Sequence, residues 1–316
     1  MKNYGEKIVL IGTGMVGMSF AYAALNQNIC DELVLIDIDK AKAEGEAMDL
    51  NHGLAFSHTS MKIYAGDYEN CKGAQIVLIC AGVNQKEGES RLDLLKRNTE
   101  VFRSIVSSVS QSGFDGIYLV ATNPVDIMTR ITCELSHFEP HRVIGTGTTL
   151  DTARLRYLLG EYFCLDPRNV HAYVIGEHGD SEFTPWSQGF LATKPIANVL
   201  RDNPDKFRES DLMDISIRVR DAAQKIIRAK GATYYGIGMS IARIVRAILR
   251  NEQSVLTVSA KLQGEYSLSG IFLGNPAIIS RKGIDRKIEL NLNPEELRKL
   301  HHSAEILDNN FSGISL

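Results

Sequence analysis

No stretch of the 316-residue chain approaches the roughly 20 consecutive apolar residues that cross a bilayer. The apolar run nearest the start, Ile8-Val9-Leu10-Ile11, is too short for a secretory signal and is stopped by Gly12. Blocks of like charge are also missing. Lys and Arg number 35 against 38 Asp and Glu, a net charge of −3, which argues against nucleic acid or an anionic membrane as a partner. The five cysteines, Cys30, Cys71, Cys80, Cys133 and Cys164, are odd in number and form no C-x-x-C pair, unlike a disulfide framework or a zinc site. Reduced thiols in a cytoplasmic protein are the simpler expectation. His171 and His178, seven residues apart, fit no usual zinc spacing, so metal catalysis is not expected. Repeats, low-complexity tracts and long linkers are absent.

What is present is ordinary material for a large core, 44% hydrophobic and 23% charged residues, in a chain long enough for two domains at about 150 residues each. The first half alternates short, β-branched apolar runs with stretches of helical spacing, the pattern of βαβ units on a parallel sheet. Strands are expected at 7–11, 32–37, 61–64, 75–80, 116–120 and 142–145, with helices such as 15–26 and 92–112 between them. Six such strands make a doubly wound α/β sheet over residues 1–145. From 146 to 316 the pattern predicts a second, mixed α+β domain. Its parts are a helix over about 150–162, a strand at 170–175, two long helices between Leu212 and Arg250, β runs at 255–262 and 271–279, and a last helix. Asn293 as N-cap, Pro294 at the first helical position and Glu296 mark the start of that last helix.

Gly12-Thr13-Gly14-Met15-Val16-Gly17 is a G-x-G-x-x-G element leaving a strand and opening a helix. In that setting Gly12 makes the turn, Gly14 lets a pyrophosphate approach the backbone, and Gly17 lets the helix pack on the sheet, with Met15 and Val16 in the same site. Asp37, 20 residues beyond Gly17 at the end of the second strand, is placed to accept the hydroxyls of the adenosine ribose. Its charge repels a 2′-phosphate and no arginine follows it, so NAD is expected over NADP in this Rossmann arrangement.

Three further groups fall on segments that should meet near the nicotinamide end of the crevice. The polar stretch Asn84 to Arg91 suits a mobile lid. Asp151-Thr152-Ala153-Arg154 places a carboxylate and a guanidinium on one helix face. Gly176-Glu177-His178-Gly179-Asp180 sets a histidine between glycines just past a strand, and Asn123-Pro124 ends the fifth strand. Taken singly, each has an ordinary alternative: a solvated loop, a surface ion pair, a structural histidine.

Together these segments carry a resemblance. The run Gly12 to Gly17, the loop Asn84-Gln85 to Arg91-Leu92-Asp93-Leu94, Thr122-Asn123-Pro124-Val125-Asp126, Leu150 to Arg154, Gly176 to Asp180 and Lys230 to Gly236 resemble the NAD-dependent L-lactate/L-malate dehydrogenase family over essentially the whole chain. The resemblance implies a reversible hydride transfer between NADH and a small 2-keto acid. His178 is then the acid and base, Asp151 its orienting partner, and Arg154 the clamp on the substrate carboxylate. Arg91 polarises the C2 carbonyl, and Asn123 bonds in the same site. Gln85 stands where the malate branch carries arginine, and Thr233 matches the lactate branch, which favours pyruvate/L-lactate over oxaloacetate. Glu87 replaces a proline common in the lactate branch. Arg156 and His171 match positions that bind fructose 1,6-bisphosphate in allosteric bacterial members, and a homotetramer is implied. The competing readings are a malate or broader 2-hydroxy-acid dehydrogenase, and a dinucleotide-sensing protein on an enzyme scaffold. Retention of His178, Asp151, Arg154 and Arg91 together counts against the latter.

Overall fold

The computed structural model describes residues 5–83, 91–314 and 316, with Arg91 described in its backbone alone. The first half runs β1 (Lys7–Ile11), α1 (Met15–Gln27), β2 (Glu32–Ile36), α2 (Lys40–Gly53), β3 (Lys62–Ala65), β4 (Ile76–Ile79), α3 (Arg91–Gln111), β5 (Ile117–Val120), α4 (Val125–Ser136) and β6 (Val143–Gly145). The second continues with α5 (Thr149–Phe163), β7 (Val170–His171), β8 (Phe190–Leu191), β9 (Lys194–Pro195), α6 (Ile196–Asp202), α7 (Glu209–Lys230) and α8 (Tyr235–Leu249). It closes with β10 (Ser254–Gln263), β11 (Ser269–Ser280), β12 (Gly283–Lys287) and α9 (Pro294–Ser312).

Strands β1, β2, β4 and β5 are near-continuous apolar runs, as strands covered on both faces must be. Side chains alternate across the sheet. Ile8, Leu10, Leu33 and Leu35 pack with α1, α2 and α8 on one side, and Val9, Ile11, Val34 and Val77 with α3, α4 and α9 on the other. A third core joins Leu155 and Leu159 of α5 to Leu212, Ile215 and Val219 of α7.

The strand order is β3-β2-β1-β4-β5-β6-β10-β11-β12. Pairing is parallel from β3 to β6 and antiparallel beyond. The chain therefore winds outward from β1, returns to β4 on its other side, and opens a crevice between the carboxyl ends of those two strands. The six expected parallel strands are all present, but the sheet does not stop at β6: Gly145 pairs with Ser259 and three antiparallel strands extend the edge.

The strand expected at 170–175 is corrected to the two residues Val170–His171, paired with Phe190 and Leu191. Beyond them side chains at the N-cap and in the first turn of α5 take over the ladder's bonds: the Val174 amide donates to Thr152 Oγ1 at 2.9 Å, and Thr148 Oγ1 donates to the Val174 carbonyl at 2.6 Å. Helix α9 begins as its residues require. Asn293 Oδ1 accepts from the amides of Glu295 and Glu296 at 3.0 and 2.9 Å, and Glu296 Oε2 accepts from the Asn293 amide at 3.0 Å. No helix among the described residues is long and apolar enough to cross a membrane.

Candidate active site

The glycine loop leaves β1 at the mouth of the crevice. Gly12 has φ +100°, and a Cβ there would lie 2.5 Å from the Ala81 amide nitrogen, so the turns after β1 and β4 touch only because position 12 has no side chain. A Cβ on Gly17 would strike the Gly12 carbonyl oxygen, which fixes how closely α1 packs on the strand. At Gly14 a Cβ would meet nothing, and this residue and Met15 are exposed while Val16 is half-buried. The backbone at the start of α1 is thus open to an anionic group.

Asp37 follows β2 directly. Its Oδ2 accepts from the Thr13 amide at 2.8 Å and from Thr13 Oγ1 at 2.7 Å, and its Oδ1 accepts from the Asp39 amide at 3.1 Å. Partial burial works against ionisation, yet these bonds outweigh it and hold the carboxyl below the usual range. An ionised carboxylate beside an open helix N-terminus fits the ribose and pyrophosphate of NAD.

The second cluster forms around Asp151, in the first turn of α5 and almost sealed from solvent. Its Oδ2 lies 2.6 Å from His178 Nδ1, and its Oδ1 accepts from Arg154 Nη1 at 2.8 Å. One buried carboxylate thereby sets both the histidine and the arginine. The side chain of Asp151 is 2% exposed, that of Arg154 14% and that of His178 25%. Neither His178 Nε2 nor the remaining N–H groups of Arg154 have a partner among the described residues.

The histidine loop is clamped at both ends. Gly176 exchanges backbone bonds with Gly274 of β11 at 3.0 and 2.8 Å, and Ile175 pairs with Phe183. The His178 amide donates to Asp126 Oδ2 of α4 at 2.8 Å. Ser303 Oγ of α9, fully buried, donates to the Ser181 carbonyl at 2.8 Å.

The charges respond to this setting. Burial alone would lower the His178 pKa, but the charge and the hydrogen bond of Asp151 raise it to about 9. Burial would raise Asp151, and His178 and Arg154 together pull it down instead. Asp126 is pushed up to about 6 by burial. Asp151, His178 and Glu182 each offer a ligand atom within 4.8 Å of one another. Two of these groups already bond each other beside a guanidinium, an arrangement suited to proton transfer more than to a cation.

The remaining expected positions fall as follows. Asn123 is exposed at the carboxyl end of β5, with no side-chain partner among the described residues. Thr233 is half-buried in the turn between α7 and α8, and the first turn of α8 abuts Leu150 beside Asp151. Gln85 and Glu87 lie outside the described residues, and so does the side chain of Arg91, which opens α3. Arg156 Nε donates to the Ala172 carbonyl at 3.2 Å with its guanidinium over Tyr173, while the neighbouring His171 is exposed. Reasoning from motifs gave no role to Thr13, Asp126, Glu182 or Ser303. Asp126 and Glu182 had a faint signal, as acids within or just after quoted motifs. Ser303 had none, since its partner lies more than a hundred residues away. A separate cavity of about 610 Å³, lined by Gln75, Arg142, Leu249 and Arg281, sits at the amino ends of the strands, opposite this chemistry.

Comparison with known proteins agrees with the geometry. Residues 6–145 match the model of the lactate/malate dehydrogenase NAD binding domain, and residues 148–314 that of the lactate/malate dehydrogenase alpha/beta C-terminal domain. The chain is 55% identical to an L-lactate dehydrogenase of Geobacillus sp. over 302 residues, covering 96% of this chain and 94% of that one. Among solved structures, a lactate dehydrogenase from a Medee basin deep-sea metagenome library superposes with a TM-score of 0.96 at 52% identity, covering 98% of each chain. The minor L-lactate dehydrogenase of Enterococcus mundtii in its ligands-bound form superposes with 0.96 at 48%, covering 98% of this chain and 99% of that one. With its glycine loop, its Asp151 cluster and near-complete coverage by both family models, the chain belongs to the lactate/malate dehydrogenase family of NAD-binding oxidoreductases.

Proposed function

We propose that this chain interconverts pyruvate and L-lactate at the Asp151 cluster. Bound NAD(H), held at Gly12, Gly14, Met15, Val16, Gly17, Asp37 and Asn123, supplies or accepts the hydride. The observation that carries the reading is the paired hold of Asp151 on His178 and Arg154. It leaves Nε2 of one and the remaining N–H groups of the other, set by the same carboxylate, without a partner among the described residues.

Arg154 grips the substrate carboxylate through a fork that lysine lacks. His178 Nε2 donates a proton to the C2 oxygen during reduction and takes it back during oxidation. Asp151 fixes the tautomer and steadies the imidazolium. Arg91 is assigned to polarising the C2 carbonyl, and Gln85 and Thr233 to excluding a second carboxylate. The relatives named L-lactate dehydrogenase support pyruvate over the malate alternative. Comparing kcat/KM for pyruvate and oxaloacetate with NADH tests this. Wild type favours pyruvate, Gln85→Arg shifts the ratio toward oxaloacetate, and an unchanged ratio removes Gln85 from the pocket.

Three finer points belong to the same reading. The division of labour falls at residue 145, supported by the change from parallel to antiparallel pairing there. The protein acts in the cytoplasm as a homotetramer. Large exposed apolar side chains on α1, α2 and α8, among them Tyr22, Met48 and Met239, are available for subunit contacts. Sedimentation measures the assembly. Fructose 1,6-bisphosphate activates through Arg156 and His171, a reading supported by the bond of Arg156 Nε to the carbonyl of Ala172, the residue after His171. Pyruvate saturation with and without the bisphosphate, at acidic and neutral pH and in His171→Ala, decides it. An unaltered response in the variant, or none in wild type, removes the site.

A further inference from the structure

The loop that carries His178 folds back on itself, closed by the mutual backbone bonds of Ile175 and Phe183 at 3.0 and 3.1 Å. The return brings Glu182 underneath the catalytic pair. Its Oε2 lies 3.9 Å from His178 Nδ1, and its side chain is 6% exposed. The same carboxyl lies against Asp151, whose own oxygens already take His178 and Arg154. Two carboxyl groups that close, buried under a common histidine, do not both ionise readily.

We propose that Glu182 is a positioning residue of this reaction: its carboxyl group stays protonated and donates to Asp151, so that the two acids share one proton and present a single negative charge to His178 Nδ1. The inference rests on the pyruvate/L-lactate reading above. The groups facing Glu182 are Asp151 and Arg154 from α5 and His178 from its own loop, with Asp126 of α4 beneath the His178 amide and Glu177 on the near side of the loop. Burial first, and then Asp151, pushes the Glu182 pKa up to about 9, in the direction the geometry requires.

The consequence is chemical. Lactate oxidation needs a neutral imidazole and pyruvate reduction an imidazolium. A second full anion beside Nδ1 would hold the proton on His178 and slow oxidation. A neutral Glu182 removes that anion, and its O–H occupies a lone pair of Asp151 that would otherwise be desolvated without a partner.

The test begins with wild-type kcat and NADH affinity, because absence of turnover with pyruvate defeats the underlying reading and not this one. The pH profile of kcat/KM for pyruvate is then compared for Glu182→Gln and Glu182→Leu. The glutamine amide mimics the protonated acid, so the alkaline midpoint stays within about 0.3 unit while kcat falls by about threefold. Leucine withdraws the donor from Asp151 and lowers kcat by about tenfold with NADH affinity retained. Infrared spectroscopy at pH 7 shows the C=O stretch of a protonated carboxyl group in wild type, lost in Glu182→Gln. A downward shift of the alkaline midpoint by about one unit or more in Glu182→Gln identifies Glu182 as an anion and overturns the proposal. So does retention of the infrared band in that variant. If Glu182→Leu does not fold, the glutamine profile and the spectrum still decide.

Discussion

The two halves of the site are built by different means. The dinucleotide half is a local object: Gly12 to Gly17 is one turn and one helix start, and Asp37 follows the neighbouring strand, tied back to it through Thr13. Its chemistry is backbone and space. The substrate half is assembled from α4, α5, α9, β11 and an irregular loop, and its chemistry lies in a cluster of ionisable side chains that perturb one another. The first half should therefore fail through lost space or a lost hydrogen bond, and the second through changed protonation and aim.

The sharpest way to separate them is His178→Asn. Turnover of pyruvate should fall on the order of 10³-fold, the usual scale of acid and base catalysis, while NADH titration by fluorescence stays near wild type. An equal loss of NADH binding would merge the halves.

Asp37→Ser works in the opposite sense. Removing the charged acceptor should weaken NADH by about 10- to 100-fold and narrow the preference over NADPH, with the alkaline limb of the pH profile unmoved. A displaced limb would mean that the adenosine end influences His178.

Within the loop, Gly14 and Gly17 distinguish ligand space from packing space. Gly14→Ala should keep the wild-type melting temperature, because its Cβ meets no protein atom, and lose about tenfold in NADH affinity, because that Cβ stands where the pyrophosphate is expected to approach the backbone. Gly17→Ala should lower the melting temperature itself, since that Cβ strikes the Gly12 carbonyl. Reversed outcomes would exchange the two assignments.

The pH dependence belongs wholly to the substrate half. The His178 pKa is raised to about 9 by Asp151 against the opposing effect of burial. Its proton is therefore in place through neutrality and is lost as pH rises through that value. Pyruvate reduction should hold at neutral pH and decline on the alkaline side, while lactate oxidation gains over the same range. Opposite trends would show that another group delivers the proton.

The smallest effect is expected from Ser303→Ala. It withdraws one buried hydroxyl from the Ser181 carbonyl, destabilises by about 1–2 kcal/mol and reduces kcat a few-fold by loosening the histidine loop. Urea denaturation and steady-state kinetics measure the two parts.

Most of the fold could be read from the residues, and the site positions were named through the family resemblance. Alternating apolar runs placed all six parallel strands, and Asn293 with Pro294 and Glu296 marked the start of α9. The strand expected to reach residue 175 ended at His171 because the hydroxyls of Thr148 and Thr152 bond the backbone of Val174 instead. Periodicity does not report a side chain that comes from another helix.

By itself, then, the sequence determined the parallel sheet and the glycine loop after β1, which follow from short-range steric and hydrophobic rules. His178, Asp151 and Arg154 were singled out as a set through their resemblance to the family's motifs. The tertiary structure alone decided three things: that the sheet continues from β6 into β10, that Asp126 and Ser303 hold the histidine loop, and that Glu182 returns beneath His178. The physical reason is the range of the interaction. Buried charges and hydrogen bonds act through space over a few ångströms, and the segments that supply them here lie tens to more than a hundred residues apart in the chain.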